Sequence, residues 1–241
     1  MIFLFFIIAM LYASAGFGGG SMYLAVLNSV FPLAGVGNKV HGLLCNTGVT
    51  LQGSCQWGRA YGKALQQGWP ILLCAAISCS FTAYYFRNEG IVQWAMSIAL
   101  IVAGILLILQ DRIQSLQFKF HQSVLLSIST LVGALAGMTG IGGGIYLSPI
   151  LHLSKWQDAK SIATLCSILI LSNSIISLVI LMGFSSFSLE NINWSLPLAS
   201  IIGGTIGSIS GIRILTQKQI KWLTAIILIA VGSQFILNVI L

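Results

Sequence analysis

Charged residues are scarce in this sequence, which has eleven Lys and Arg and four Asp and Glu among 241 residues. With 57% hydrophobic residues, the polar side chains are too few to cover a globule of this size in water. Most of the long apolar runs approach the roughly 20 residues that a helix needs to cross hydrocarbon. These runs are Leu33–Trp57, Gly68–Phe86, Ile91–Leu109, Val124–Leu135, Ile162–Phe184, Trp194–Ile214 and Trp222–Leu241. The sequence therefore predicts an all-α integral membrane protein.

Three further scarcities exclude other classes of protein. The five cysteines lie inside apolar segments without CxxC spacing, which indicates small core residues and leaves the redox compartment open. The three histidines form no cluster with carboxylates, so neither a metal site nor a protease active site is indicated. Lys and Arg occur in ones and twos at helix ends, which is typical of topology signals and not of a nucleic-acid surface. We expect no enzyme activity, no cofactor, no metal and no nucleic-acid partner.

The feature that the sequence does have is an internal repeat. "GFGGGSMYLAVL" begins at Gly16 and "GIGGGIYLSPIL" begins at Gly140. Each half has an apolar arm, a glycine-rich break, a short apolar stretch, a long helix with Asn or Lys near its start, and two more apolar helices. The first arm lacks the basic n-region of a signal peptide, so we assign it to the fold. We predict two repeats, residues 1–112 and 113–241, that form a single membrane transport domain.

Positive charge distinguishes two topologies for these repeats. If each glycine segment lay within a continuous span, each half would have four spans and the basic residues would divide seven against four. If each glycine segment is the tip of a re-entrant hairpin, each half has three full spans, the second half is inverted, and only Lys39 and Arg87 lie opposite the other nine. Those nine are Arg59, Lys63, Arg112, Lys119, Lys155, Lys160, Arg213, Lys218 and Lys221. This bias predicts inverted repeats with glycine-tipped hairpins and both termini outside the cytoplasm. The alternative, with Val124–Gly137 as a full span, stays open.

The glycine tips predict where a substrate binds. Non-helical backbone at membrane depth is tolerated only where protein or a watery cavity satisfies it, and broken helices in inverted repeats form the midplane sites of transporters. We expect a half-helix to leave each tip, from Ser21 to about Val30 and from Ile145 to about Leu153, with unpaired N–H groups and a positive dipole end at the centre. Two facing ends predict an anion site, because glycine lets an oxyanion approach the amides. The alternative is helix packing, which we expect for Gly203–Gly211 and Gly133–Gly137.

The other polar residues agree with an anionic substrate. All four carboxylates fall in predicted loops or at helix ends, so the membrane interior has no acid to coordinate a cation or relay protons; they are Glu89, Asp111, Asp158 and Glu190. Each repeat also places a lysine near the start of its long helix, where it would attract anions into a vestibule or snorkel to the headgroups. We expect His41 and His152 to be packing or interfacial residues.

The substrate-binding residues predicted from these arguments come from the two tips and the two long helices. They are Gly18, Gly19, Gly20, Ser21, Gly142, Gly143, Gly144, Ile145, Asn38, Lys39, Asn46, Thr50, Lys160, Thr164 and Ser167. Lys39, Asn46 and Thr50 share one helical face, and Lys160, Thr164 and Ser167 form a comparable stripe in the second half.

Several quoted segments carry a resemblance to a known family. "GFGGGSMYLAVL", "AGVGNKVHG" and "GMTGIGGGIYLSPIL", in two similar halves, resemble the TauE/SafE family of sulfite and organosulfonate exporters over essentially the whole chain. The resemblance implies transport of sulfur-containing anions such as sulfite, sulfoacetate or taurine-derived products across the bacterial inner membrane, often outward. The chain departs from the family pattern at Ala25, where the second half keeps Pro149, and at Gly37, which replaces a threonine before Asn38.

The resulting prediction is a multi-pass secondary transporter of the inner (plasma) membrane, with export as the expected direction. Its partners would be the lipid bilayer and a small anion of the sulfite, thiosulfate or sulfonate class, bound at the midplane between the two tips. A passive small-anion channel and a non-transport membrane scaffold are the alternatives. The sequence predicts neither the oligomeric state nor the coupling ion.

Overall fold

The structure, a computed structural model, describes residues 1–31, 35–85, 100–102, 104–105, 107–109, 121–140, 142–184 and 192–240. The main helices in this part of the chain are α1 (Ile2–Ser14), α2 (Gly20–Val30), α3 (Gly35–Tyr61), α4 (Lys63–Tyr85), α5 (Gln122–Thr139), α6 (Gly144–Leu153), α7 (Ala159–Phe184), α8 (Ser195–Arg213) and α9 (Gln217–Ile240). A shorter apolar helix covers the described residues of Leu100–Leu109. Among the helices described, α4, α5, α7 and α8 are long and apolar enough to cross a membrane. The predicted all-α membrane class is confirmed.

The apolar runs predicted most helices to within a few residues. The two expected half-helices are α2 and α6, each of which begins one residue before its prediction, at Gly20 and Gly144. Some predictions fall on residues outside the described part, namely those for 91–99, Arg87, Glu89, Asp111, Arg112, Lys119 and Glu190. The remaining carboxylate, Asp158, lies just before α7, where it accepts a hydrogen bond from Gln217 Nε2 at 2.7 Å. Its predicted position near a helix start is confirmed.

Contacts between helices come in equivalent pairs across the two halves. The first arm, α1, packs along α8 of the second half, and the second arm, α5, packs along α4 of the first half. The long helices α3 and α7 pack on each other, α3 also packs on α8, and α7 also packs on α4. Each half-helix lies against the long helix of its own half, α2 on α3 and α6 on α7. The two halves are therefore interlocked around the α3–α7 contact.

Small residues make the contacts of the two arms possible. A Cβ atom at Gly207 of α8 would collide with the carbonyl oxygen of Met10 in α1. In the other half, a Cβ atom at Gly133 of α5 would collide with the carbonyl oxygen of Ala75 in α4. Backbones this close exclude any larger residue at these positions. The predicted packing role of the two glycine stripes is confirmed.

The helix ends form two opposite faces, and the first is the N-terminal face. Met1, Phe31, Asn38 and Asn193 line one pocket there. The start of α1 and the end of α2 therefore lie together, beside the starts of α3 and α8. His41 joins the start of α3 to the start of α8. Its Nδ1 contacts the carbonyl oxygen of Gly37 at 2.8 Å, and its Nε2 accepts a hydrogen bond from the Asn193 N–H at 2.9 Å.

The second face lies at the other end of α3, about 40 Å away by the rise of a 27-residue helix, and we call it the basic face. Gln66, Gln122 and Trp156 line one pocket there, so the start of α5 and the end of α6 lie together, beside the start of α4. Arg59 and Arg213 share a second pocket on this face. A third pocket is lined by Lys155, Lys218 and Lys221 together with the buried His152.

The cysteines differ in burial. All five are free thiols, and Cys45, Cys79 and Cys166 are buried. Cys74 is half-buried and Cys55 is exposed. The prediction that the cysteines are core residues is therefore wrong for Cys55, because periodicity in a uniformly apolar helix does not tell a lipid-facing position from a buried one.

Candidate functional site

The first glycine tip lies between α1 and α2. Gly19 has a φ of 86°, in the left-handed region, and Gly20 starts α2 directly after it. No side chain caps this helix from within the tip. Within the described part of the chain, the N–H groups of Ser21 and Met22 have no hydrogen-bond acceptor. Because the first N–H groups of a helix carry its positive dipole end, this tip presents donors to an anion.

Asn46 of α3 lies against this tip. Its Oδ1 accepts the Gly20 N–H at 3.0 Å, and the side chain is 1% exposed. Unpaired N–H groups were predicted here, and the prediction is wrong for the Gly20 N–H, because a carboxamide oxygen already accepts it. Thr50, one turn further along α3, donates to the Asn46 carbonyl oxygen at 2.7 Å and lies beside Gly18. Two of the predicted site residues of α3 therefore reach the tip.

The second glycine tip lies between α5 and α6. Gly142 and Gly143 have φ angles of 85° and 80°, and Gly144 starts α6. The Gly142 carbonyl oxygen accepts a hydrogen bond from Asn173 Nδ2 at 3.1 Å. Among the described residues, the Oδ1 atom of Asn173 has no hydrogen-bond partner, although the side chain is fully buried. Ile145 is buried in the first turn of α6.

The two tips meet at one polar pair. Asn46 Nδ2 donates to Ser174 Oγ at 2.7 Å, across the α3–α7 contact. A Cβ atom at Gly142 would lie 3.1 Å from Ser174 Oγ and 3.2 Å from Asn46 Nδ2. A Cβ atom at Gly20 would lie 2.9 Å from the Asn46 carboxamide carbon. The Asn46–Ser174 pair therefore touches the first tip and the second tip at once, and only glycine leaves room for it.

Lys39 lines a pocket that reaches the second tip. The pocket has a volume of about 50 Å³, which holds about three water molecules. Its walls are Lys39, Leu43, Ala83, residues 137–140, Ser177, Ile180 and Leu181. Because Lys39 lies near the start of α3, the pocket connects Gly140 of the second tip with the N-terminal face. We call it the Lys39 pocket.

Other predicted site residues serve different contacts. Asn38 Nδ2 donates to Asn28 Oδ1 at 2.9 Å and to the Phe31 carbonyl oxygen at 2.7 Å, so it ties the end of α2 to the start of α3. Lys160 Nζ donates to the Ile212 carbonyl oxygen at 2.8 Å, at the end of α8. These two residues lie at the helix ends, away from the tips.

The rest of the Lys160 stripe leads from the basic face towards the centre. Thr164 is buried and donates to the Lys160 carbonyl oxygen at 2.9 Å. Ser167 is buried, and its Oγ lies 3.3 Å from Ser54 Oγ of α3. Ile170, one turn further, packs against Gly142 and Gly144.

Sequence reasoning missed Asn173 and Ser174. A usable signal was present, because the offset of 124 residues that aligns Gly20 with Gly144 also aligns Thr50 with Ser174. The repeat gives no such signal for Asn173, because the same offset aligns Asn173 with the apolar Val49.

The chain is similar to known proteins over a stretch that includes both glycine tips. The sequence model of the sulfite exporter TauE/SafE family matches residues 1–235. A curated relative, the probable membrane transporter protein y4hK of Sinorhizobium fredii, is 24% identical over 239 residues, which are 96% of this chain and 95% of that protein. No solved structure matches the chain significantly.

Proposed function

This chain belongs to the sulfite exporter TauE/SafE family of membrane transporters, and we propose that it is a secondary transporter of small sulfur-containing anions. Sulfite, thiosulfate and short organosulfonates are the proposed substrate class, and export across the bacterial inner membrane is the proposed direction. The observation that carries the proposal is the meeting of two glycine tips at the Asn46–Ser174 pair.

An oxyanion finds several donors at this place. The free N–H groups of Ser21 and Met22 point from the start of α2, and the positive dipole end adds to their attraction. Asn46 Nδ2 and the Ser174 hydroxyl are neutral hydrogen-bond donors. They can bind an anion without retaining it as a fixed positive charge would. In this proposal an anion displaces Asn46 Oδ1 from the Gly20 N–H, because the carboxamide oxygen occupies the position of an anion oxygen.

Lys39 serves this site as an entrance charge. It lies in the pocket that reaches Gly140, and a lysine in a watery vestibule raises the local concentration of anions. Asn38 and Lys160, which were predicted to bind the substrate, are proposed instead to hold the helix ends that frame the path.

The contacts at the two faces support inverted repeats with re-entrant hairpins. The start of α1 and the end of α2 share one pocket on the N-terminal face, and the start of α5 and the end of α6 share one on the basic face. Most of the described Lys and Arg residues lie at the basic face, while Lys39 lies near the other. A positive-inside bias would place the basic face in the cytoplasm and the start of α1 outside it.

Purified protein in liposomes tests the proposed function. Sulfite, thiosulfate, sulfate and short sulfonates are offered at set pH and membrane potential, and saturable flux of a sulfur anion supports a carrier. Asn46→Ala should lower this flux at least tenfold, because it removes a donor that contacts both tips. Asn28→Ala is the matched control, since Asn28 bonds to Asn38 away from the tips. Flux that rises linearly with concentration identifies a channel, and no flux of any anion contradicts transport.

A further inference from the structure

The Lys39 pocket has an equivalent place in the other half of the molecule. The offset of 124 residues that aligns the tips places Gly16 on Gly140 and Trp57 on Leu181. Leu181 lines the Lys39 pocket, which opens to the N-terminal face. Trp57 lies at the corresponding position on the way to the basic face, where its side chain is fully buried.

Small groups hold the Trp57 indole in place. Its Nε1–H donates to the Ala13 carbonyl oxygen at 3.3 Å, in the last turn of α1. A Cβ atom at Gly211 of α8 would lie 2.8 Å from Trp57 Cζ2. The ring therefore lies where α1, α3 and α8 meet, in a buried cluster that also includes Ala159 and Ala163 of α7 and Ile220 of α9.

A polar layer lies between the Trp57 ring and the tips. On α3, Asn46, Thr50, Ser54 and Trp57 follow one another at spacings of three or four residues, so they share one face. A Cβ atom at Gly53 would lie 3.1 Å from Ser167 Oγ and 3.5 Å from Ser208 Oγ. Serines from α3, α7 and α8 thus converge one turn before the ring.

Two buried polar atoms between the tips and the basic face have no hydrogen-bond partner among the described residues. They are Ser208 Oγ of α8, beside Gly53, and Gln56 Oε1 of α3, whose side chain lines a pocket with Arg59 and Arg213. A buried hydroxyl or amide without a partner is unfavourable, and such groups are normally satisfied by protein or water. Ser208 Oγ, which lies beside Gly53, therefore lacks the partner that water or an anion would supply.

We propose that Trp57 is the gate between the tips and the basic face, and that Gly53, Ser167 and Ser208 line the anion path beyond it. The proposal rests on the proposed transport function, because a gate requires a path. The structure then corresponds to a state closed towards the basic face, while the Lys39 pocket leads from the second tip to the N-terminal face. Alternating access requires that one side be closed while the other is open.

Thiol accessibility tests the gate without any substrate. Ser208→Cys is introduced into a chain whose five native cysteines have been replaced, and a membrane-impermeant maleimide is added from the basic face. With Trp57 in place the thiol should react slowly, and Trp57→Ala should accelerate the reaction at least tenfold. Leu228→Ala is the matched control, because Leu228 of α9 is also fully buried but lies away from this path. It should leave the rate unchanged.

Two further measurements keep the result interpretable. If Trp57→Ala does not fold, Trp57→Phe retains a ring but loses the bond to Ala13, and it should give an intermediate rate. Equal rates in folded Trp57, Trp57→Phe and Trp57→Ala proteins overturn the gate, as does equal acceleration by Leu228→Ala. Sulfite binding and anion transport are measured on the same preparations. Sulfite binding without a change in thiol accessibility refutes the gate alone. A change in thiol accessibility without transport of any anion refutes the proposed function alone.

Discussion

Replacing Gly20 with alanine separates a binding role of the first tip from a packing role. The new Cβ atom would lie 2.9 Å, 3.0 Å and 3.1 Å from Cγ, Nδ2 and Oδ1 of Asn46, so the carboxamide has to move by several tenths of an ångström. That movement weakens the 3.0 Å bond from the Gly20 N–H and displaces the donor shared with Ser174. Gly20 does not have a positive φ, so the substitution causes no backbone strain.

The expected magnitudes differ for folding and for binding. Losing the hydrogen bond costs about 0.5–1.5 kcal/mol of folding free energy. Alanine is favoured over glycine by about 1 kcal/mol inside a helix and by less at its first position, so it offsets part of this loss. Substrate binding has no such compensation, and a loss of about 1.4 kcal/mol lowers affinity about tenfold.

Two alanine substitutions serve as references for this experiment. Gly207→Ala forces a methyl group against the Met10 carbonyl oxygen, and such overpacking costs about 1–3 kcal/mol of stability. Gly58→Ala meets no atom within 4 Å inside α3, so it should leave affinity unchanged and raise the melting temperature slightly through the higher helix propensity of alanine. Sulfite affinity and melting temperature are measured on the same preparations of all three variants. A Gly20→Ala protein with unchanged affinity and a melting temperature lowered as in Gly207→Ala would show that the tip glycines only pack helices.

Three further outcomes are expected. Cysteine labelling should place Arg59 and Arg213 on the same, cytoplasmic side, and finding them on opposite sides would contradict the inverted arrangement. Lys39→Gln should slow transport most at low ionic strength, because a charge in a wet vestibule is screened within about 8 Å at physiological salt; equal rates at low salt would mean that Lys39 only reaches headgroups. Asn46→Asp should lower anion affinity more than Asn46→Ala, since it places a carboxylate between the tips, and the opposite order would contradict an anion there.

The sequence predicted where the two half-helices begin. Four glycines within five positions at each break required interruptions of the helices, and α2 and α6 begin within one residue of the expected positions. Asn46 and Thr50 were found because one face of a helix can be read from spacing alone.

Features that depend on contacts between the halves could not be predicted. The hydrogen bond from Asn46 to Ser174 joins residues 128 positions apart, and no local pattern determines such a pair. Lys160 depends on such contacts as well, because its charge and spacing are those of a site residue, while its ammonium group donates to the Ile212 carbonyl oxygen at the end of α8. Burial of Trp57 also depends on α1 and α8, which are remote in sequence from α3.

The proposed direction of transport, export, agrees with where the carboxylates lie. Asp158 precedes α7, and the other three acids, which lie outside the described residues, fall in predicted loops or at helix ends, so the proposal includes no intramembrane acid for proton or sodium coupling. An anion that moves without a coupled cation carries its own charge across the membrane, and an inside-negative potential drives it outward.

That potential gives a measurable expectation. One elementary charge gains about 2.3 kcal/mol per 100 mV, which corresponds to a ratio of about 50 between the outer and inner concentrations of a monovalent anion. We expect sulfonate efflux from liposomes to accelerate when a potassium gradient and an ionophore make the interior negative, and to slow when the potential is reversed. Liposomes without protein control for leakage. Efflux that ignores the potential but follows an imposed pH gradient would refute uncoupled export, because it would require a proton carried by groups other than intramembrane acids.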